Sequence, residues 1–466
     1  MSNPSLAAKF QALTARLTGA SPLQKKLLGG GMWAVIGKVT LSGGGLALNM
    51  ILARILSPDE MGAYFIAVSI LAVVGVFILL GLNQAIVRLI AEAMAVRQPG
   101  RARQAIQWAF TLLLLGCLLG IVFMLLGGGQ WITEHIFHSP LLSDLTGLIA
   151  LWIVFSTFQT LLAEAFRGFQ DIRLAASFGG GGALTRILLL IFLAGTWLLR
   201  GNSSLRQVIL LSLWANIITV LLAATLLNKR LRKLPVNQHG ISFKEMLTIT
   251  APFWINGLSL LVISQADIWF LGAYQDADQV AIYGAVLRLI LLATTPTLIS
   301  AAVLPPIITE LHSKRELKQL ESILRSTATL IAIPASVVFV SFLFWGREIL
   351  TYVYGEYYSS GYQALVTISL GYWVFVLAGS SGLTLMMSGY QKVIMRITLF
   401  TGILSLILMY IFTPRFGYNG LAVVVSITIM LQNLMVLLYV RIKIGIWTHI
   451  KPNLLLHPKS FWRAIK

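Results

Sequence analysis

Long apolar runs constrain this chain more than any other feature. Between short clusters of charge lie stretches of roughly 20 residues or more with almost no ionised side chain, the length an α-helix needs to cross about 30 Å of hydrocarbon. The runs are continuous rather than alternating, which excludes a transmembrane β-barrel. Only 11% of the residues are charged, against about 25% in soluble domains, so lipid is the solvent. The pattern predicts an all-α integral membrane protein with twelve spans, near 31–56, 62–90, 105–130, 145–166, 172–199, 205–228, 247–273, 279–308, 323–345, 363–387, 393–413 and 419–443.

Charge placement orients these spans. Of 35 basic residues, 27 lie in or beside the segments on the same side as the N-terminus. Five (Arg54, Arg200, Arg206, Arg347 and Arg415) lie on the opposite side, and Lys38, Arg186 and Arg288 fall within spans. Basic residues accumulate on the cytoplasmic face, so both termini are expected there. The net charge of +19 then faces anionic lipid headgroups and gives no reason to expect nucleic-acid binding. No cleavable signal peptide is expected. Residues 1–30 read as a cytoplasmic amphipathic segment, with Leu6, Phe10, Leu13 and Leu17 on one face.

The chain also repeats itself. Ser57-Pro58-Asp59-Glu60 and Asp276-Ala277-Asp278-Gln279 are offset by 276 − 57 = 219 residues; Phe169-Gln170-Asp171 and Tyr390-Gln391-Lys392 are offset by 390 − 169 = 221. Two anchors at nearly one offset imply a duplicated unit of six spans. An even number re-enters the membrane in the same orientation, giving parallel repeats. The expected organisation is an N-lobe at 31–228, a basic cytoplasmic linker at 229–246, a C-lobe at 247–443 and a basic cytoplasmic tail at 444–466.

Several motifs have structural readings. Ser57 and Asp276 precede spans, with Glu60 and Gln279 three residues on and Pro58 at the first helical position, so both sites are expected to form capping boxes. The clusters Gly43–Gly45 and Gly179–Gly182 read as packing or bending points, and Pro296, Pro305 and Pro306 as kinks. Cys117 is a lone thiol in an apolar run, excluding an internal disulfide. Without clustered Cys/His, a phosphate-binding loop or a large extramembrane segment, no metal, cofactor or enzymatic reaction is expected.

The ionisable groups within spans carry the functional signal. A charge at the bilayer centre costs at least about 2.5–3.5 kcal/mol, so such groups should face protein or a watery cavity. At 100° per residue Lys38, Ser42, Gly45 and Asn49 form one polar stripe, and Pro252, Asn256, Ser259 and Asp267 another; Gly179, Gly182 and Arg186 share a face. Asp267 fits either ion coupling or pairing with a cavity base.

The stretch Leu52-Ala-Arg-Ile-Leu-Ser-Pro-Asp-Glu-Met-Gly-Ala-Tyr-Phe65 resembles the opening of the Wzx-type polysaccharide-export flippases, in the multidrug/oligosaccharidyl-lipid/polysaccharide exporter superfamily. Arg167-Gly-Phe-Gln-Asp171, Ser388-Gly-Tyr-Gln-Lys392 and Val303-Leu-Pro-Pro-Ile-Ile-Thr-Glu310 are similar to the family too. The resemblance spans about residues 25–445 and implies two six-helix lobes around a central cavity, rocking between two faces of a bacterial inner membrane. The implied activity is translocation of undecaprenyl-pyrophosphate-linked oligosaccharide for surface polysaccharide synthesis, by a monomer that contacts membrane lipid and a polysaccharide polymerase or chain-length and export proteins. Lys38, Arg186 and Arg288 would hold the pyrophosphate, with Ser42, Asn49, Asn256 and Asp267 in the sugar or coupling region. A multidrug or cation antiporter of the same superfamily is the nearest alternative and would favour acidic groups in the cavity. A membrane-embedded glycan polymerase is a more distant one.

Overall fold

The computed structural model describes residues 43–179, 182–200, 204–235 and 241–451. Every described regular element is a helix, as intramembrane backbone must satisfy its own hydrogen bonds. In chain order these are α1 (Gly43–Ile55), α2 (Pro58–Leu79), α3 (Leu82–Ala95) and α4 (Pro99–Phe123, continuing through π-helical turns to Ile136). There follow α5 (Thr146–Gly168), α6 (Ile172–Phe178), α7 (Ala183–Arg200) and α8 (Leu205–Leu231). The remainder are α9 (Phe243–Tyr274), α10 (Ala277–Ser313), α11 (Leu317–Tyr354), α12 (Tyr362–Ala378), α13 (Ser381–Met387) and α14 (Gln391–Lys443). Ten helical segments among the described residues are long and apolar enough to cross a membrane, and the chain is a multi-pass membrane protein.

Several expected spans are broken, each for a local reason. The run at 62–90 divides at Leu80 and Gly81, both in left-handed conformations. Gly81 lies against the backbone of α9, where a Cβ would come within 2.5 Å of the Trp254 nitrogen and 2.6 Å of the Thr250 oxygen. Hydropathy cannot show this break, because it serves a distant helix. The run at 172–199 divides at the glycine cluster, between Phe178 and Ala183. The runs at 393–413 and 419–443 belong to one 53-residue helix interrupted at Gly417 (φ 56°, ψ −144°). Helix α10 continues through Pro296, Pro305 and Pro306. Its prolines therefore do not end it.

The two capping sites differ. Ser57 Oγ accepts from the Glu60 N–H at 3.2 Å and Glu60 Oε2 accepts from the Ser57 N–H at 3.1 Å, a complete capping box. Asp276 is an N-cap without a side-chain cap bond, correcting the expected second box. The Gln279 N–H goes instead to Asp278 Oδ1 at 2.6 Å, and the Gln279 amide donates to Gln275 Oε1 at 2.8 Å. Asp278 supplies an acceptor inside the first turn, so Asp276 is not needed.

Helix α2 is the packing hub. It lies against α5 in its own half of the chain and against α9 and α10 in the other. Its small residues permit this: a Cβ on Gly62 would overlap the carbonyl of Ala277 at the start of α10. In membranes such close approach of small residues is a main source of helix association.

Candidate functional site

Helices α1, α2, α5, α7, α8 and α10 enclose a cavity of about 600 Å³. Its walls are chemically unequal. Helix α2 and the middle of α10 present Val68, Leu71, Val76 and Leu291, whereas α1, α5, α7 and α8 present Asn49, Ser156, Gln159, Thr185 and Asn216. Two guanidinium groups, Arg186 from α7 and Arg288 from α10, enter the same space, and no carboxylate lines it among the described residues.

Arg186 reaches the cavity because two glycine features let it. Helix α7 restarts after the break at the glycine cluster, with the Arg186 N–H bonded to the Gly182 carbonyl at 3.1 Å. Its guanidinium then lies on α1, where a Cβ on Gly45 would stand 3.0 Å from Nη1. Nη1 is buried and has no hydrogen-bond partner among the described residues. A buried donor without a partner costs about 1–3 kcal/mol, more when charged. Arg288 lies 5.8 Å from the centre of the Phe65 ring, and Arg186 and Arg288 lie within reach of each other's charge. Two like charges held together in a membrane, one with an orphaned donor, form an arrangement that an anion would relieve.

The polar wall is built from helix-to-helix bonds. Gln159 Nε2 donates to Thr185 Oγ1 at 2.6 Å and to the Gly179 carbonyl at 3.0 Å, and Thr185 Oγ1 donates to Thr219 Oγ1 at 3.1 Å. Gln159 thus satisfies one carbonyl exposed by the break between α6 and α7. Asn216 Nδ2 donates to the Ser212 carbonyl at 2.7 Å, and Ser156 Oγ donates to Asn216 Oδ1 at 3.4 Å. Asn49 Nδ2 donates to the Gly45 carbonyl at 2.6 Å. Tyr64 and Trp152 also line the space, with ring centres 6.2 Å apart.

The structure therefore brings together Arg186, Arg288 and Asn49 from the sequence-predicted set. Lys38 and Ser42 lie outside the described residues. Asn256 and Asp267, both on α9, do not line this cavity; Asn256 is exposed. The Asp267 carboxylate accepts from Tyr283 Oη at 3.1 Å and from the Ile268 N–H at 2.9 Å. No ion pair involving Asp267 occurs among the described residues, although Arg288 acts on it at longer range. Sequence reasoning missed Tyr64, Gln159, Thr185 and Asn216. The two amides were visible as polar residues inside apolar runs; the aromatic and the threonine were not distinguishable from packing residues.

Comparison with known proteins gives one consistent picture. The model of the polysaccharide biosynthesis protein family matches residues 27–312. The chain is 23% identical over 385 residues to the probable low-salt glycan biosynthesis flippase Agl15 of Haloferax volcanii, a match covering 81% of this chain and 75% of that protein. Among solved structures, it is similar to an inward-facing multidrug resistance MATE family transporter of the MOP superfamily, with a TM-score of 0.72 at 16% identity, covering 87% of this chain and 94% of that one. It is also similar to the lipid II flippase MurJ in an inward closed conformation, with a TM-score of 0.62 at 16% identity, covering 92% and 89%. The fold is that of the MOP superfamily transporters.

Proposed function

Since the chain belongs to the polysaccharide biosynthesis protein family, we propose that it is a flippase carrying a lipid-linked oligosaccharide across the membrane. It acts by transport and not by chemical conversion. The observation that carries this reading is the pair Arg186 and Arg288 facing a cavity without a carboxylate among its described lining residues, with Arg186 Nη1 buried and, among the described residues, unpartnered. The ligand that suits two guanidinium groups is a phosphate-bearing headgroup, because the planar fork matches phosphate oxygens bidentately. A cationic drug would meet two like charges and no counter-charge in this cavity.

In this reading the substrate is undecaprenyl-pyrophosphate-linked oligosaccharide, and the protein works as a monomer in the inner membrane of a bacterium for surface polysaccharide synthesis. Twelve spans form an N-lobe (31–228) and a C-lobe (247–443), with both termini and the 229–246 linker cytoplasmic. The lobes alternate the cavity between the two faces while the lipid tail stays in the bilayer. Lys38 would add a third cation, and Ser42 and Asn49 would meet sugar hydroxyls. Asp267 would couple transport to an ion, and a polymerase or export protein would take the product. The close packing of Gly62 on Ala277 supports an assignment of the present form as closed on the outer face.

The test is export of glycan in cells. Arg186→Ala with Arg288→Ala should reach the membrane at normal levels and lose export, and lysine at either position should restore part of it. Full export by the double alanine variant would overturn the proposal.

A further inference from the structure

The face of α10 that meets α2 repeats at heptad-like spacing: Ala277, Ala281, Gly284 and Arg288. On α2 the residues that meet this face are Gly62 and Phe65, which stand 219 residues before Ala281 and Gly284, the offset of the internal repeat. The two stripes interlock through reciprocal notches. Gly62 admits the backbone of Ala277, and Gly284 admits the Phe65 ring, where a Cβ would overlap the ring carbons. Both helices thus close the Ser57/Asp276 end of the cavity by contacts that a separation of α2 from α10 must break.

The Phe65 ring has a second neighbour. Its centre lies 5.8 Å from the Arg288 guanidinium carbon, within the range in which a cation over an aromatic face is attracted. Phe65 is 4% exposed, so water is largely kept from the ring, while Arg288 is half-buried at the cavity wall. The adjacent residue, Tyr64, lines the cavity together with Arg288. One ring therefore sits between the gate and the group that faces the ligand.

We propose that Phe65 couples cavity occupancy to the gate: an anion that draws Arg288 toward Arg186 removes the cation from the Phe65 ring and loosens the ring from the Gly284 notch. The inference rests on the anionic headgroup proposed above. It assigns Phe65 a positioning role, acting through Arg288. A ligand can shift a conformational equilibrium only by its differential interaction with the two forms, and the Phe65–Arg288 contact, which belongs to the form in which α2 and α10 are packed together, supplies that difference.

The experiment uses the full-length protein with Cys117→Ala and Ala281→Cys, reconstituted in vesicles, and follows the rate of thiol labelling. Ala281 is fully buried in the closed gate. Addition of bare undecaprenyl pyrophosphate should raise labelling about two- to thirtyfold, the range equivalent to a cation–π contact. Phe65→Leu keeps an apolar side chain and removes the ring. It should label faster without ligand and gain nothing further when ligand is added, whereas Phe65→Tyr should keep the response. Gly284→Ala, which displaces the same ring from the opposite side, should also raise the resting rate, and it serves where Phe65→Leu fails to fold. A ligand response in Phe65→Leu equal to that of the parent would overturn the coupling. A parent protein that does not bind the pyrophosphate would instead overturn the proposed ligand, and binding measured on the same vesicles separates the two failures.

Discussion

Gly62→Ala adds one methyl group where the structure has no room for it. The new Cβ would overlap the Ala277 carbonyl, a backbone atom that cannot rotate away. Alanine in place of glycine within a helix gains about 0.5–1 kcal/mol from backbone entropy, while overpacking of this kind costs typically 1–3 kcal/mol. The helix gain is common to the open and closed forms, so the whole overpacking penalty of about 1–3 kcal/mol falls on the form in which α2 and α10 touch. Since about 1.4 kcal/mol is a factor of ten, the open form should gain about five- to hundredfold in population. The assay is thiol labelling of Ala281→Cys in the Cys117→Ala background, beside Gly147→Ala, Gly195→Ala and Gly402→Ala as controls. These three positions have nothing within 4 Å of an added Cβ, so the controls should label at the parental rate and be as stable or slightly more so. Labelling of the Gly62→Ala protein at the parental rate, with an unchanged melting temperature, would refute the claim that backbone contact at Gly62 holds this end shut.

Three further outcomes follow from the same account. Asp267→Asn keeps the acceptor for Tyr283 and breaks no ion pair among the described residues, so it should melt within a few degrees of the parent yet lose gradient-driven transport; normal transport would remove Asp267 from coupling. Gln238→Cys, in the proposed cytoplasmic linker, should resist an impermeant thiol reagent in intact cells and react in opened ones, and labelling in intact cells would invert the topology. His449 is held below the ordinary histidine range by burial and then by Arg325. A base depressed in the folded state stays neutral there, so the structure around it is destabilised as pH falls through the unfolded value of about 6.5. The protection of residues 444–451 against hydrogen exchange, taken relative to the intrinsic amide rate at each pH, should therefore fall between pH 7.5 and 5.5 in the parent but not in His449→Gln, and pH-independent protection in the parent would refute it.

That last segment shows where sequence reading stopped. Residues 444–466 read as a basic cytoplasmic tail, and nothing in their local pattern says which part of the chain their apolar residues meet. In the structure residues 444–451 lie across the second half of the chain: the Ile450 N–H donates to the Leu377 carbonyl at 3.1 Å and Thr448 Oγ1 donates to the Ala378 carbonyl at 3.0 Å. These carbonyls are exposed where α12 ends before Gly379, so the segment caps a broken helix. Such a role depends on a contact across 70 residues, which local pattern cannot encode. The apolar runs, by contrast, were legible because membrane thickness imposes a length on each helix independently of its neighbours. The site divides in the same way. Arg186 and Arg288 stood out because charge in hydrocarbon is costly wherever it occurs, and their meeting in one cavity is a tertiary fact. Phe65 carries no such cost and looks like any core aromatic until Gly284 and Arg288 are placed beside it.

The central claim is that Arg186 and Arg288 bind the pyrophosphate of a lipid-linked glycan, and the most direct measurement is equilibrium binding of bare undecaprenyl pyrophosphate to the purified full-length protein. A hydrogen bond to a charged group is worth about 1.5–3 kcal/mol, so Arg186→Ala and Arg288→Ala should each weaken binding about ten- to hundredfold. Arg186→Lys should lie between the parent and Arg186→Ala, since lysine keeps the charge and loses the fork. Equal affinity in the parent and in the double alanine variant would contradict the account.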